Sequence, residues 1–123
     1  MTACSRYGIA PKTSFLAWAR AKARFRLASA KLPSNFTACS HAGVVNVLIH
    51  TRDCFPGVPL HGVMGGFHLS GATERNIPET VAALAAFELK SIAAAHCTGW
   101  RAVSALAAAF GDAVAPSAVG KTY

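Results

Sequence analysis

The sequence predicts an α/β fold: three strand–turn–helix units on a small parallel sheet. From residue 34 onward, short apolar runs alternate with helical segments, the pattern of strands joined by crossover helices. Each apolar run ends in a turn rich in glycine and other small residues. With 123 residues, the chain holds one domain or a piece of one, with room for a modest core.

The elements follow in order. NFTA at 35–38 is a short extended run, and CSHAG at 39–43 turns the chain. VVNVLIHTR at 44–52 places apolar residues at 44, 45, 48 and 49, which is helical spacing. FPGVP at 55–59 is a loop, VPLHGVM at 58–64 is the second strand, and GGFHLSGATERN at 65–76 is a long turn. Pro78 falls where the first turn of a helix tolerates proline. PETVAALAAFEL at 78–89 continues as a helix with Val81, Leu84, Ala85 and Leu89 inward. KSIAAA at 90–95 is the third strand, HCTGW at 96–100 the third turn, and WRAVSALAAAF at 100–110 the third helix, stopped by Gly111. An edge strand around Val114 or Val119 closes the chain. Right-handed crossovers put all three strand-to-helix turns at the carboxyl edge of the sheet, where α/β folds collect ligands.

Charge divides the chain. Seven of its 12 Lys and Arg residues lie in 1–31, a stretch without Asp or Glu, whereas 32–123 holds five basic and five acidic residues. Residues 1–36 are therefore a basic arm without recognisable fold, and 37–123 the folded part. Three readings of the arm stay open: a solvated basic segment with a short helix around WARAKARFRLASAK, a transit-like peptide, or the product of a mis-started frame. No uninterrupted apolar run reaches the roughly 18 residues of a membrane span, so no membrane partner is expected. The four cysteines, Cys4, Cys39, Cys54 and Cys97, form no CxxC pair, and no secretory signal opens the chain. This points to a reduced, cytoplasmic protein rather than a disulfide framework.

Three histidines recur at equivalent places. His41 follows the first strand, His68 the second and His96 the third, with separations of 27 and 28 residues, one strand–helix unit each. Neighbouring parallel strands lie about 4.8 Å apart, so the three imidazoles can converge on one ion. Imidazole suits zinc and similar divalent transition metals, and His41, His68 and His96 are the candidate metal ligands. His50 and His61, inside a helix and a strand, are structural. Cys39 and Cys97 neighbour candidate ligands, and thiolate is a good zinc ligand, but they read as small buried residues packing the turns. Trp100 reads as a lid or core aromatic.

A resemblance attaches to these motifs. TACSHAGVVNVL is similar to the TGCSHAGIVNTL segment of metallo-β-lactamase-fold proteins, and VMGGFHLSGA and AAAHCTGWRA resemble later motifs of one branch of that superfamily. The branch includes the archaeal dihydropterinyl-methyl ribofuranosylaminobenzene phosphate synthases and many bacterial metallo-hydrolases. The similarity runs from Thr37 to Tyr123. It implies the C-terminal half of an αββα sandwich, which makes the domain incomplete. It also implies metal roles for His41 in a first site and His96 in a second, while His68 falls where many members carry a bridging Asp. The implied activity is metal-dependent hydrolysis, or a pterin-related synthesis, on a small-molecule substrate. The HxHxDH signature of the N-terminal half is absent, no H-x-H occurs, and Ala38 replaces the usual Gly before the Cys. The chain is therefore expected to hold zinc weakly and to be inactive alone. The uncovered sheet face leads to an expectation of a homodimer or a complementing N-terminal half. The alternative reading is a small basic module gripping nucleic-acid phosphates through Trp18, Phe25 and the arm's Arg and Lys, or a non-catalytic fragment. Nucleic acid is the weaker expectation, because the arm carries no recognised motif.

Overall fold

A computed structural model of the chain describes residues 34–121. Residues 1–33 of the basic arm, with its short helix and Cys4, lie outside the described residues, while 34–36 belong to the first strand. Three short strands form one parallel sheet in the order β1–β2–β3: β1 is Ser34–Thr37, β2 Gly62–Gly65 and β3 Ser91–Ala94. Each strand leads through a turn into a helix: α1 Val44–Cys54, α2 Ile77–Ala85 and α3 Trp100–Phe110. The predicted α/β class with three strand–turn–helix units is therefore what the chain adopts.

The core forms because each helix offers one apolar stripe to the sheet. Val44 and Leu48 come from α1, Leu84 from α2, and Ala102 and Leu106 from α3. They pack with Val63 and Ile92 of the strands and with Phe67 and Leu69 of the second turn. Among the described residues, no helix is long and apolar enough to cross a membrane.

Several local expectations need correction. The second helix starts at Ile77, with Pro78 in its first turn, and stops at Ala85 rather than Leu89. Glu88 then takes φ 51°, a left-handed turn that drops Leu89 into the core from outside the helix. Ala85 is exposed, not inward. The long turn expected at 65–76 is not irregular throughout, since Gly71–Asn76 forms a 3₁₀ helix leading into α2. Of the two residues named for an edge strand, Val114 makes a single parallel bridge to Ile92, and Val119 is exposed. Trp100 is 75% exposed and so is no core aromatic. The guanidinium of Arg101 lies 5.3 Å from its ring centroid.

Register is what positions the functional edge. Thr37 pairs with Gly65 and Gly65 with Ala94, so all three strands end level and the turns after them start side by side. The turns are then tied together. The Gly66 N–H donates to the Ala38 carbonyl at 2.8 Å, and the Leu69 N–H to the Cys97 carbonyl at 3.0 Å. The hydroxyl of Thr98, fully buried, accepts from the Phe67 N–H at 3.2 Å. Ser70 Oγ donates to the Cys97 carbonyl at 3.1 Å. Farther out, Arg101 pairs with Glu74 at 2.7 Å across an exposed surface, an interaction worth at most about 1 kcal/mol.

Gly66 is the point that both flanking turns approach. A Cβ there would lie 2.6 Å from Cys97 Sγ, 2.7 Å from the His96 carbonyl and 2.9 Å from the Ala38 carbonyl. Both flanking turns thus fill the volume a side chain would need. Gly66→Ala is expected to lower stability by about 1–3 kcal/mol through overpacking against backbone, read as a lower urea midpoint. Thr98→Val leaves the buried Phe67 N–H without its acceptor and is expected to cost about 1–3 kcal/mol, with Thr98→Ser recovering most of the loss. Unchanged midpoints in both variants would contradict this account of the turns.

Candidate metal centre

The carboxyl edge is built from three turns of unusual backbone. Ser40, His68 and Cys97 are non-glycine residues at φ 51°, 52° and 55°, one in each turn. Left-handed backbone costs a non-glycine residue roughly 1–2 kcal/mol. Such conformations persist where surrounding contacts over-determine them. Here those contacts are the turn-to-turn hydrogen bonds and the Thr37–Ser40 hydroxyl pair at 2.7 Å.

The three candidate histidines all sit on this edge, but they divide into two groups. The rings of His41 and His68 lie 4.4 Å apart between centroids, inclined at 54°. His96 meets a different neighbour, with its Nε2 3.1 Å from Cys39 Sγ. Cys97 Sγ lies beside this pair and donates weakly to the Cys39 carbonyl at 3.7 Å. The ligand atoms of Cys39, His96 and Cys97 all lie within 4.8 Å of one another. Among the described residues this is the one trio of His, Cys, Asp or Glu drawn so close. Its His96 is exposed and its two cysteines half-buried, so the trio opens to solvent on one side.

The offsets along the chain explain the division. His41 is four residues past the end of β1, His68 three past β2 and His96 two past β3. The first two rise far enough from the sheet to face each other. His96 stays low and shares its level with Cys39, also two residues past its strand. Cys39 and Cys97 are half-buried rather than buried, and Cys39 meets His96 directly. The signal that could have found them was their place relative to the strand ends, together with the Gly65–Gly66 pair between them.

His50 lies inside α1 as expected, whereas His61 lies one residue before β2 rather than inside a strand. His50 contacts Cys54 one helical turn on, at 3.6 Å. The backbone carbonyl of His61 accepts from the Lys90 and Ser91 N–H groups at 2.8 and 3.2 Å.

The electrostatics of the edge mix two influences. The helices α1 and α3 begin here without an acidic residue in the first turn, so their positive dipole ends favour negative charge nearby. Burial nonetheless raises the Cys39 thiol above its ordinary value, and the neighbouring Cys97 thiol pushes it the same way by hydrogen bonding and by charge. A cation bound between the thiols would favour their ionised forms over the protonated ones. Two thiols and an imidazole are borderline-soft donors, and this chemistry fits zinc.

No family model matches the chain. Over 66 residues it is 35% identical to a 7,8-dihydropterin-6-methyl-4-(β-D-ribofuranosyl)-aminobenzene-5′-phosphate synthase from Methanocaldococcus jannaschii, covering 54% of this chain and 22% of that protein. An uncharacterized protein of the same organism, MJ0448, is 33% identical over 70 residues, or 57% of this chain and 26% of its own length. The fold is similar to that of Tm1679, a metal-dependent hydrolase of the β-lactamase superfamily, with a TM-score of 0.64 and 30% identity, over 70% of this chain and 33% of that one. The chain thus spans a third or less of the length of the relatives it matches. Its parallel sheet, its carboxyl-edge turns and these identities agree: the chain carries a partial metallo-β-lactamase fold, similar in sequence to the dihydropterin-methyl-ribofuranosylaminobenzene phosphate synthase.

Proposed function

We propose that the chain is the metal-binding part of a metal-dependent enzyme, a hydrolase or a pterin-related synthase, acting on a small-molecule substrate in the cytoplasm. Zinc is the metal proposed, and His41, His68 and His96 are its proposed imidazole ligands. The observation that carries the reading is that all three follow strand ends on one tied edge, His41 and His68 ring to ring and His96 beside Cys39. The donor chemistry of the edge fits such an ion, and the solved relative is described as metal-dependent.

When bound, the metal supplies Lewis-acid polarisation of a substrate group or of water. The chain's own residues hold and orient. His41 and His68 come from turns tied to their neighbours by the Gly66 and Leu69 hydrogen bonds. The exposed side of His96 leaves the edge open to a substrate.

The chain contains no H-x-H and spans a third or less of its relatives. The proposed activity therefore needs either the remainder of the fold or a second copy of this chain, and the chain alone is proposed to be inactive. Purified chain dialysed against excess zinc and then against metal-free buffer is expected to retain more zinc than a metal-free control by elemental analysis. His41→Ala or His96→Ala should lower that retention, and ester or phosphoester turnover by the chain alone should not exceed the buffer rate. Retention at the level of a metal-free control, or retention unchanged in both variants, would remove the basis of the reading.

A further inference from the structure

The geometry points to a sulfur-rich seat at this edge. We propose that Cys39, His96 and Cys97 together hold a zinc-class ion, through two thiolates and one imidazole, all from this chain. The proposal rests on the reading that the edge binds metal. It goes beyond that reading in assigning both cysteines as ligands and in separating the trio from the His41–His68 pair.

Distance is the first argument. In a tetrahedral zinc site with bonds of about 2.3 Å to sulfur and 2.0 Å to nitrogen, neighbouring ligand atoms stand about 3.5–3.8 Å apart. Cys39 Sγ and His96 Nε2 are 3.1 Å apart, and no pair in the trio exceeds 4.8 Å. Shifts of an ångström or less along side-chain torsions would close that geometry without moving the strands.

The second argument is that the backbone is built around the trio. Cys39 belongs to the turn after β1, whereas His96 and Cys97 belong to the turn after β3, with β2 between them. Side chains on non-adjacent strands meet only if the middle strand yields its space. Gly66 does so, and the atom nearest to its absent Cβ is Cys97 Sγ. Cys97 adopts φ 55°, held by two hydrogen bonds to its carbonyl from Leu69 and Ser70.

The third argument is the weakness of the present partners. The Cys97 thiol donates to the Cys39 carbonyl at 3.7 Å, a weak contact that costs little to exchange for a metal bond. Binding exchanges the two thiol protons for the ion, and both protons leave to solvent through the exposed side of the site. Cys54, paired with His50 within α1, lies apart from this trio and serves as an internal reference.

The test is a cobalt(II) titration of the full chain under reducing, anaerobic conditions. A near-ultraviolet sulfur-to-cobalt charge-transfer band is expected, saturating at one equivalent. Cys39→Ser and Cys97→Ser should each lose the band and weaken cobalt binding more than about 100-fold, a larger loss than that for outer-shell partners. His41→Ala and His68→Ala should keep the band. Cobalt bound without the band, but lost in His41→Ala, overturns the sulfur seat and leaves the imidazole reading standing. No cobalt binding at all overturns both. Because a serine variant can fail to fold, the unaltered chain supplies a second readout. Zinc should block iodoacetamide modification of Cys39 and Cys97 while leaving the Cys54 rate unchanged, and equal modification of all three with zinc present would overturn the proposal.

Discussion

The missing side chain of Gly66 is the constraint on which the functional edge depends. Parallel strands sit about 4.8 Å apart, so the turns after β1 and β3 begin roughly 9.6 Å from each other. Any side chain after β2 would stand between them. With hydrogen there instead, the Ala38 and His96 carbonyls and the Cys97 sulfur close over the centre of the sheet, and Cys39 reaches His96. The equal ends of the three strands make the closure symmetric, because Thr37, Gly65 and Ala94 lie in one register line. The left-handed residues Ser40, His68 and Cys97 are the cost of bending three turns so tightly. That cost is offset by hydrogen bonds both between turns and within them.

Much of the fold was legible because hydrophobic spacing and glycine punctuation are local signals. Positions 44, 45 and 48 mark the inner face of α1, and Gly111 ends α3 in a left-handed conformation. The errors arise where tertiary packing overrides local pattern. PETVAALAAFEL reads as one continuous helix, yet the core takes Leu89 from a turn beyond Ala85. Trp100 reads as a large apolar side chain seeking cover, but it stands at the first position of α3 and remains exposed.

The site was legible at the level of turns and not of atoms. Spacings of 27 and 28 residues place His41, His68 and His96 on one edge. Whether side chains meet depends on how far each lies beyond its strand, which sequence spacing alone does not resolve to a residue. Offsets of four and three join His41 to His68, while offsets of two join Cys39 to His96. Cys39 read as turn packing because its partner His96 lies 57 residues away in the chain, across a glycine whose role shows only in three dimensions. A partial metallo-β-lactamase fold thus carries at its edge both an imidazole pair and a thiol-bearing trio, within the same 88 described residues, 34–121.

X-ray absorption at the zinc edge on the purified, zinc-loaded chain tests the central claim most directly, since it reads the atoms around the ion without substitution. The account predicts sulfur at about 2.3 Å alongside imidazole nitrogen at about 2.0 Å in a four-coordinate shell. A first shell of nitrogen and oxygen alone would contradict it.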